Sequence, residues 1–159
     1  MTTHGQQVGE SATTGASAAD APNPDFGEAV RLALATMPAA QDLGVVVEAL
    51  EPGEATLVLP VRESHTQHTG HVQAGVLGAL ADFAAGAAVG TLLPAGWANV
   101  TLDFHVKIVA AASGPQLTAR GSAVSAGRTV SVARTEICDS EGRICATALA
   151  TFRNIRVSS

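Results

Sequence analysis

One carboxylate, Asp82, interrupts the otherwise almost wholly apolar stretch from Gln73 to Leu93, QAGVLGALADFAAGAAVGTLL. Carboxylates are rarely buried without a partner, so its place has a reason: a cap or pairing within a core, or work as a base or nucleophile. Just upstream, the polar segment RESHTQHTGHVQ brings His65, Gln67, His68, His71 and Gln73 around Gly70. Three imidazoles in one loop raise a metal site, but no His-Glu-x-x-His helix accompanies them and loop spacing fixes no geometry. Solvated histidines and no metal are expected, with His71 the one to face a site at the helix entry. No G-x-S-x-G elbow is present, which removes the usual serine-hydrolase signature.

On a helix at about 100° per residue, Val76, Leu77, Leu80, Phe83 and Ala87 gather into one bulky stripe. Gly75, Gly78, Asp82, Ala85, Gly86 and Val89 fall opposite, so Asp82 stands among the smallest side chains available. The bulky stripe is expected to bury against a sheet, and the small face to admit a slender ligand or a second helix. A membrane span is not expected: a central Asp costs about 2.5 to 3.5 kcal/mol on insertion scales, and no Lys or Arg lies close to either end.

At 159 residues the chain fits one domain, and with 47% hydrophobic and 14% charged residues it is globular rather than disordered. A net charge of -5 excludes the basic surface of a nucleic-acid binder. Two cysteines, Cys138 and Cys145, make no disulfide framework, and a reducing cytoplasm is the simpler expectation. Residues 1–23 lack a hydrophobic period and read as a disordered tail without a secretory signal, leaving 24–159 as the folded domain.

The elements that must position Asp82 follow from periodicity. Asp25 is the expected N-cap of a helix through Phe26, Val30, Leu34 and Met37, ended by Pro38. Leu43–Leu50 and Ala55–Val61 form a hairpin around the turn EPGE. After the loop and the central helix, VTLDFHVKIV alternates as a half-buried strand, and strands follow over Gln116–Val124, Thr129–Cys138 and Ile144–Ile155, read as a four-stranded meander. Were the last hairpin even in register, Cys138 and Cys145 would face each other, though two reduced core thiols are the expected state. The class is α+β: one antiparallel sheet with one long helix across a face.

The pattern QHTGHVQAGVLGALAD resembles the loop and helix entry of PaaI-like hotdog-fold acyl-CoA thioesterases, and the likeness extends over roughly residues 43–154. Those proteins carry a polar amide, a Gly, then His-Gly-Gly before an apolar helix ending in Leu-x-Asp or Glu. Counting back from Asp82 places Gln67 at the amide position and Gly70 at the loop glycine, with Ala74 and Gly75 at the double glycine. Gln73 stands where the His is usual, and Thr101 in VTLDF stands where several members have Ser or Thr.

The resemblance implies hydrolysis of an acyl-CoA thioester, without a cofactor, in a homodimer or homotetramer whose active sites form between subunits. Asp82 would attack or activate water, and backbone N–H groups of Ala74 and Gly75 at the helix N-terminus would hold the oxyanion. Gln67 would orient the thioester or water, and Thr101 would hydrogen-bond the carboxylate or the water from a neighbouring subunit. His71, Gln73, Gly78 and Gly86 would line the substrate path, and Arg128 at a strand reversal would meet a coenzyme A phosphate. The rivals are a hydratase or dehydratase of the same fold, and an acyl-CoA-binding protein without catalysis.

Overall fold

The computed structural model describes residues 21–157, so the expected tail lies, up to residue 20, outside the described residues. The chain begins with two short helices, α1 (Phe26–Thr36) and α2 (Pro38–Leu43). Asp25 sits at the N-cap of α1 but its side chain makes no capping bond; instead the Asn23 carboxamide oxygen accepts from the Asp25 N–H at 3.1 Å. Pro38, expected only as a stop, also starts α2, because its fixed φ suits a first helical position where no N–H is needed. Met37 is left exposed at the joint rather than completing the buried stripe of Phe26 and Val30. The first strand consequently starts three residues later than its aliphatic run.

Strands β1 (Val46–Glu51) and β2 (Glu54–Pro60) form the expected hairpin around Pro52–Gly53, where Gly53 supplies a φ of +82°. Helix α3 (Ala74–Gly90) follows, then β3 (Trp97–Ile108), β4 (Gln116–Ala126), β5 (Val130–Cys138) and β6 (Ile144–Arg156). All pairings are antiparallel, in the order β1-β2-β4-β5-β6-β3. The last four strands are therefore not a simple meander. β3 pairs with β6 from Trp97↔Arg156 to Ile108↔Ala146 and takes the far edge. The connection to β4 returns past the N-terminal end of α3, held where the Val72 N–H donates to Ala112 O and the Val61 N–H to Pro115 O, both at 2.9 Å.

With α3 laid across one face of a six-stranded antiparallel sheet, this is the hotdog architecture. The helix face toward the sheet includes Leu77 and Leu80 of the expected bulky stripe but is otherwise made of small residues. Leu77, Leu80, Ala81, Ala84 and Ala88 are buried, whereas Val76 and Phe83 remain partly exposed. Small residues win because they let backbone meet backbone. A Cβ built on Gly121 of β4 would stand 2.1 Å from Ala84 O, and Thr135 of β5 donates its hydroxyl to Ala81 O at 3.0 Å. The core continues through Leu57, Leu59, Leu117 and Ile137, each with essentially no exposed surface; burying such a side chain is worth about 1.5 to 3 kcal/mol.

Two register details correct the sequence reading. The β3–β6 register shifts between Thr101 and Asp103, a bulge at Leu102 that turns the strand over, so that Thr101 and Phe104 both face α3. As an edge strand, β3 is also exposed rather than half-buried, with Val100, Leu102, Phe104 and Ile108 between 43% and 58% exposed. At the last hairpin, Cys138 pairs with Ile144 across a second shift, so the two cysteines are not opposite one another; both are free and buried.

Candidate active site

Asp82 lies half-buried in the middle of α3, and Thr101 Oγ1 donates to its Oδ1 at 2.9 Å. The strand bulge makes this contact, since it swings Thr101 toward the helix of its own chain. Thr101 thus makes the expected hydrogen bond to the carboxylate, and makes it within its own chain. Burial holds the Asp82 carboxyl above the usual carboxylate range, and the Thr101 hydrogen bond opposes this in part by stabilising the ionised form. Such a group is a stronger base than a solvated carboxylate.

The carboxylate sits at the edge of a cavity of about 400 Å³ between α1, α3 and β3. Phe83, Gly86, Ala87 and Gly90 of α3 form one wall, Val30 and Leu34 of α1 with Met37 at its C-cap another, and Trp97 and Phe152 close it from the sheet. Gly86, expected on the substrate path, is there. Gly78 is not; it is buried, and a Cβ there would meet the ring of Phe104 at 3.6 Å. Asn99 is a lining residue that the sequence reading missed. Its Nδ2 donates to Gly86 O at 2.9 Å, pinning β3 to the helix. The signal lay in its place two residues before Thr101, on the same side of the strand.

The helix entry forms a second cluster. Gln73 is the N-cap of α3, and its Oε1 accepts from the Gly75 N–H and, at 3.2 Å, from the Val76 N–H, leaving Ala74 outside this capping arrangement. Gln67 closes the loop turn: its Nε2 donates to Thr69 Oγ1 and its Oε1 accepts from the Thr69 N–H, both at 2.6 Å, while its carbonyl accepts from the Gly70 N–H at 2.8 Å. Gly70 has a φ of +85°, which favours glycine at this position. His71 is exposed beside it.

His65 is a structural residue. Its ring is buried, Nδ1 faces the Arg62 N–H at 3.1 Å and Nε2 faces the Arg62 guanidinium, while its carbonyl accepts from the Gln73 N–H. Burial, then the Arg62 charge, lower its pKa, and a neutral ring accepts from one donor at a time. Among the described residues no group of three or more His, Cys, Asp or Glu side chains is arranged to hold a metal, and no helix is long and apolar enough to cross a membrane.

Neither Gln67, Ala74, Gly75 nor Arg128 touches the cavity beside Asp82. Arg128 is exposed at the β4–β5 turn. Along α3, the seven residues from Gly75 to Asp82 amount to roughly 10 Å. A carbonyl under attack needs its nucleophile within about 3.5 Å of carbon. Its oxyanion donors must lie at about 2.7 to 3.1 Å. Asp82 and the N-terminal N–H groups of the same helix therefore do not meet on a single carbonyl.

Comparison with known proteins places these features in context. Residues 69–146 match the family model described as the thioesterase superfamily. A Halobacterium salinarum protein provisionally named an esterase is 37% identical over an alignment of 125 residues that covers 72% of this chain and 82% of that protein. The crystal structure of a thioesterase family protein from Silicibacter pomeroyi superposes with a TM-score of 0.79 at 30% identity, over 82% of this chain and 98% of that one. The PaaI protein from the phenylacetic acid degradation operon of E. coli superposes with a TM-score of 0.78 at 18% identity, covering 87% and 100% of the two chains, a likeness of fold.

Proposed function

The chain belongs to the thioesterase superfamily, and we propose that it hydrolyses acyl-CoA thioesters to the free acid and coenzyme A, with Asp82 as the reacting carboxylate. The observation that carries this reading is a base-strengthened Asp82, hydrogen-bonded to Thr101, in the lining of a cavity that is apolar apart from these two and Asn99. Asp82 has Thr101 as its hydrogen-bond partner and lines a cavity whose other walls are mostly apolar, a lining fit for an acyl group.

In the proposed reaction Asp82 takes a proton from water as the water oxygen adds to the thioester carbon, or adds to that carbon itself. The resulting tetrahedral oxyanion is held by backbone N–H groups at an α3 N-terminus, those of Ala74 and Gly75. Collapse breaks the carbon–sulfur bond, and in the first case the thiolate of coenzyme A takes up the proton that Asp82 drew from water. In the second, collapse leaves an acyl anhydride on Asp82, which a water molecule hydrolyses to the free acid, restoring the carboxylate and supplying the thiolate's proton. For Gly75 to serve, Gln73 Oε1 must leave the place it holds, and the substrate carbonyl oxygen then takes over the same donors. Because Asp82 and Gly75 of one chain stand too far apart, the donors come from a second copy. The free edge of β3 is the surface by which two copies would bring these parts together in a dimer or a dimer of dimers. Gln67 and His71, in the loop that leads into the donors' helix, would then border the incoming thioester, and Arg128 would remain for the coenzyme phosphates.

Assaying a panel of acyl-CoAs for free thiol release tests the proposal. Turnover of at least one, lost in Asp82→Asn, supports it. A folded wild-type protein that binds an acyl-CoA yet releases no thiol would make it a binding protein instead.

A further inference from the structure

The cavity behind Asp82 has a direction and an end. Asp82, Gly86 and Gly90 recur every fourth residue along one line of α3, which rises about 12 Å from the first to the last. At the far end, α1 closes in: a Cβ on Gly90 would stand 3.0 Å from Val30 Cγ2, and Trp97 lines the same cavity. Apart from Asp82 and Thr101, the one carboxamide in the lining is Asn99, already engaged with the helix backbone, and no Lys or Arg lines the space.

Resting on the hydrolase reading for the position of the carbonyl, we propose that this cavity is the acyl site. It takes an apolar acyl group of about eight to ten carbons, uncharged at its far end. An extended chain advances about 3.3 to 3.6 Å for every three bonds, or roughly 1.2 Å per bond, so ~12 Å holds about ten. The 400 Å³ is ample, since a cavity of about 150 Å³ already accommodates benzene. An acyl group ending in a carboxylate would bury that charge without a partner and is excluded. Gly86 and Gly90 are the specificity-determining positions, because side chains there would project into the chain's path.

Two measurements test the acyl site separately from the hydrolase reading. With linear acyl-CoAs from two to sixteen carbons, kcat/KM should climb roughly fourfold per added methylene from butanoyl, the transfer value for one buried CH₂. It should peak at eight to ten carbons and fall beyond. Adipoyl-CoA should be turned over far less well than hexanoyl-CoA. Gly90→Val should move the peak to shorter chains; Ala33→Leu, on the exposed lining face of α1 where folding is not at risk, should do the same. Independently of turnover, the chain's one tryptophan, Trp97, reports occupancy. Its fluorescence should change on titration with free octanoate or decanoate at concentrations where butanoate has no effect. Length-selective fluorescence without any thiol release would sink the hydrolase reading and keep the acyl site. Hydrolysis with a flat length profile, a peak at acetyl or palmitoyl, or equal use of adipoyl would overturn the acyl site and keep the hydrolase.

Discussion

Thr101 Oγ1 donates to Asp82 Oδ1 at 2.9 Å, and this bond works against the burial that raises the Asp82 carboxyl. Removing it should let burial act unopposed. In Thr101→Val the carboxyl rises further, and because the reacting form is the ionised one, the acid limb of kcat/KM should move to higher pH. A pH profile of wild type and variant reads this directly. An unmoved acid limb in the variant would mean that the group governing the profile is not Asp82.

Asp82→Asn separates chemistry from folding. Loss of a general base typically costs about 100- to 10,000-fold, so kcat should fall by that order with KM little changed. Stability should move the other way. A carboxyl whose folded pKa lies above its unfolded value contributes nothing different below the unfolded value, near 3.9. As pH rises from there through the raised folded value, the native state loses ground. The amide escapes that loss, so at pH 7 the variant should melt no lower than wild type, and its advantage should vanish near pH 3. A variant that melts far lower at pH 7 would make Asp82 a structural residue.

Gly121 sets how closely the helix approaches the sheet. Any Cβ there would stand 2.1 Å from Ala84 O, and helix and strand are both too well tied to yield cheaply. Gly121→Ala should cost about 1 to 3 kcal/mol as overpacking, a melting-temperature drop of roughly 3 to 12 °C for a chain of this size. Gly27→Ala in α1, where nothing lies within 4 Å, is the control and should be neutral or slightly stabilising. Equal melting of the two variants would show that the helix is free to lift from the sheet.

Much of this was legible in the residues themselves. Asp82 stood out because a carboxylate among Ala and Gly needs a reason, and the strands were marked by aliphatic runs between turns and, in β3, by alternation. What stayed hidden depends on partners distant in sequence. The run Val100, Leu102, Phe104 alternates without a break, so nothing in it marks the bulge that turns Thr101 and Phe104 to the same side. The edge position of β3 follows from pairing with β6, and neither strand records that choice alone. The helix was assigned its buried face by side-chain size, whereas close backbone contact at Gly121 and Ala84 set Ala81, Ala84 and Ala88 beside Leu77 and Leu80 in that face and left Val76 and Phe83 partly exposed. Gln73 gave no warning of its capping role because glutamine is not among the favoured caps.

The edge of β3 yields the prediction that reaches furthest from a single chain. Twelve residues of strand, Trp97 to Ile108, pair with β6 on one side only, and Val100, Leu102, Phe104 and Ile108 stay exposed on it. Such an edge is a template for pairing with another strand, even with Asp103, His105 and Lys107 exposed among its apolar residues. An identical edge from a second copy would cover it and bring the α3 N-terminus of one copy to the Asp82 of the other, which no arrangement within one chain achieves. The protein should therefore run as a multiple of 16.0 kDa in solution at micromolar concentration. Leu102→Asp, which places a charge on the bulge of that edge, should shift it toward monomer and lower thioester hydrolysis in proportion to the monomer formed, with the fold retained by circular dichroism. Light scattering coupled to size exclusion, with activity assayed across the peak, decides it. A wild-type monomer, or a Leu102→Asp monomer with full activity, would show that one chain completes the site alone.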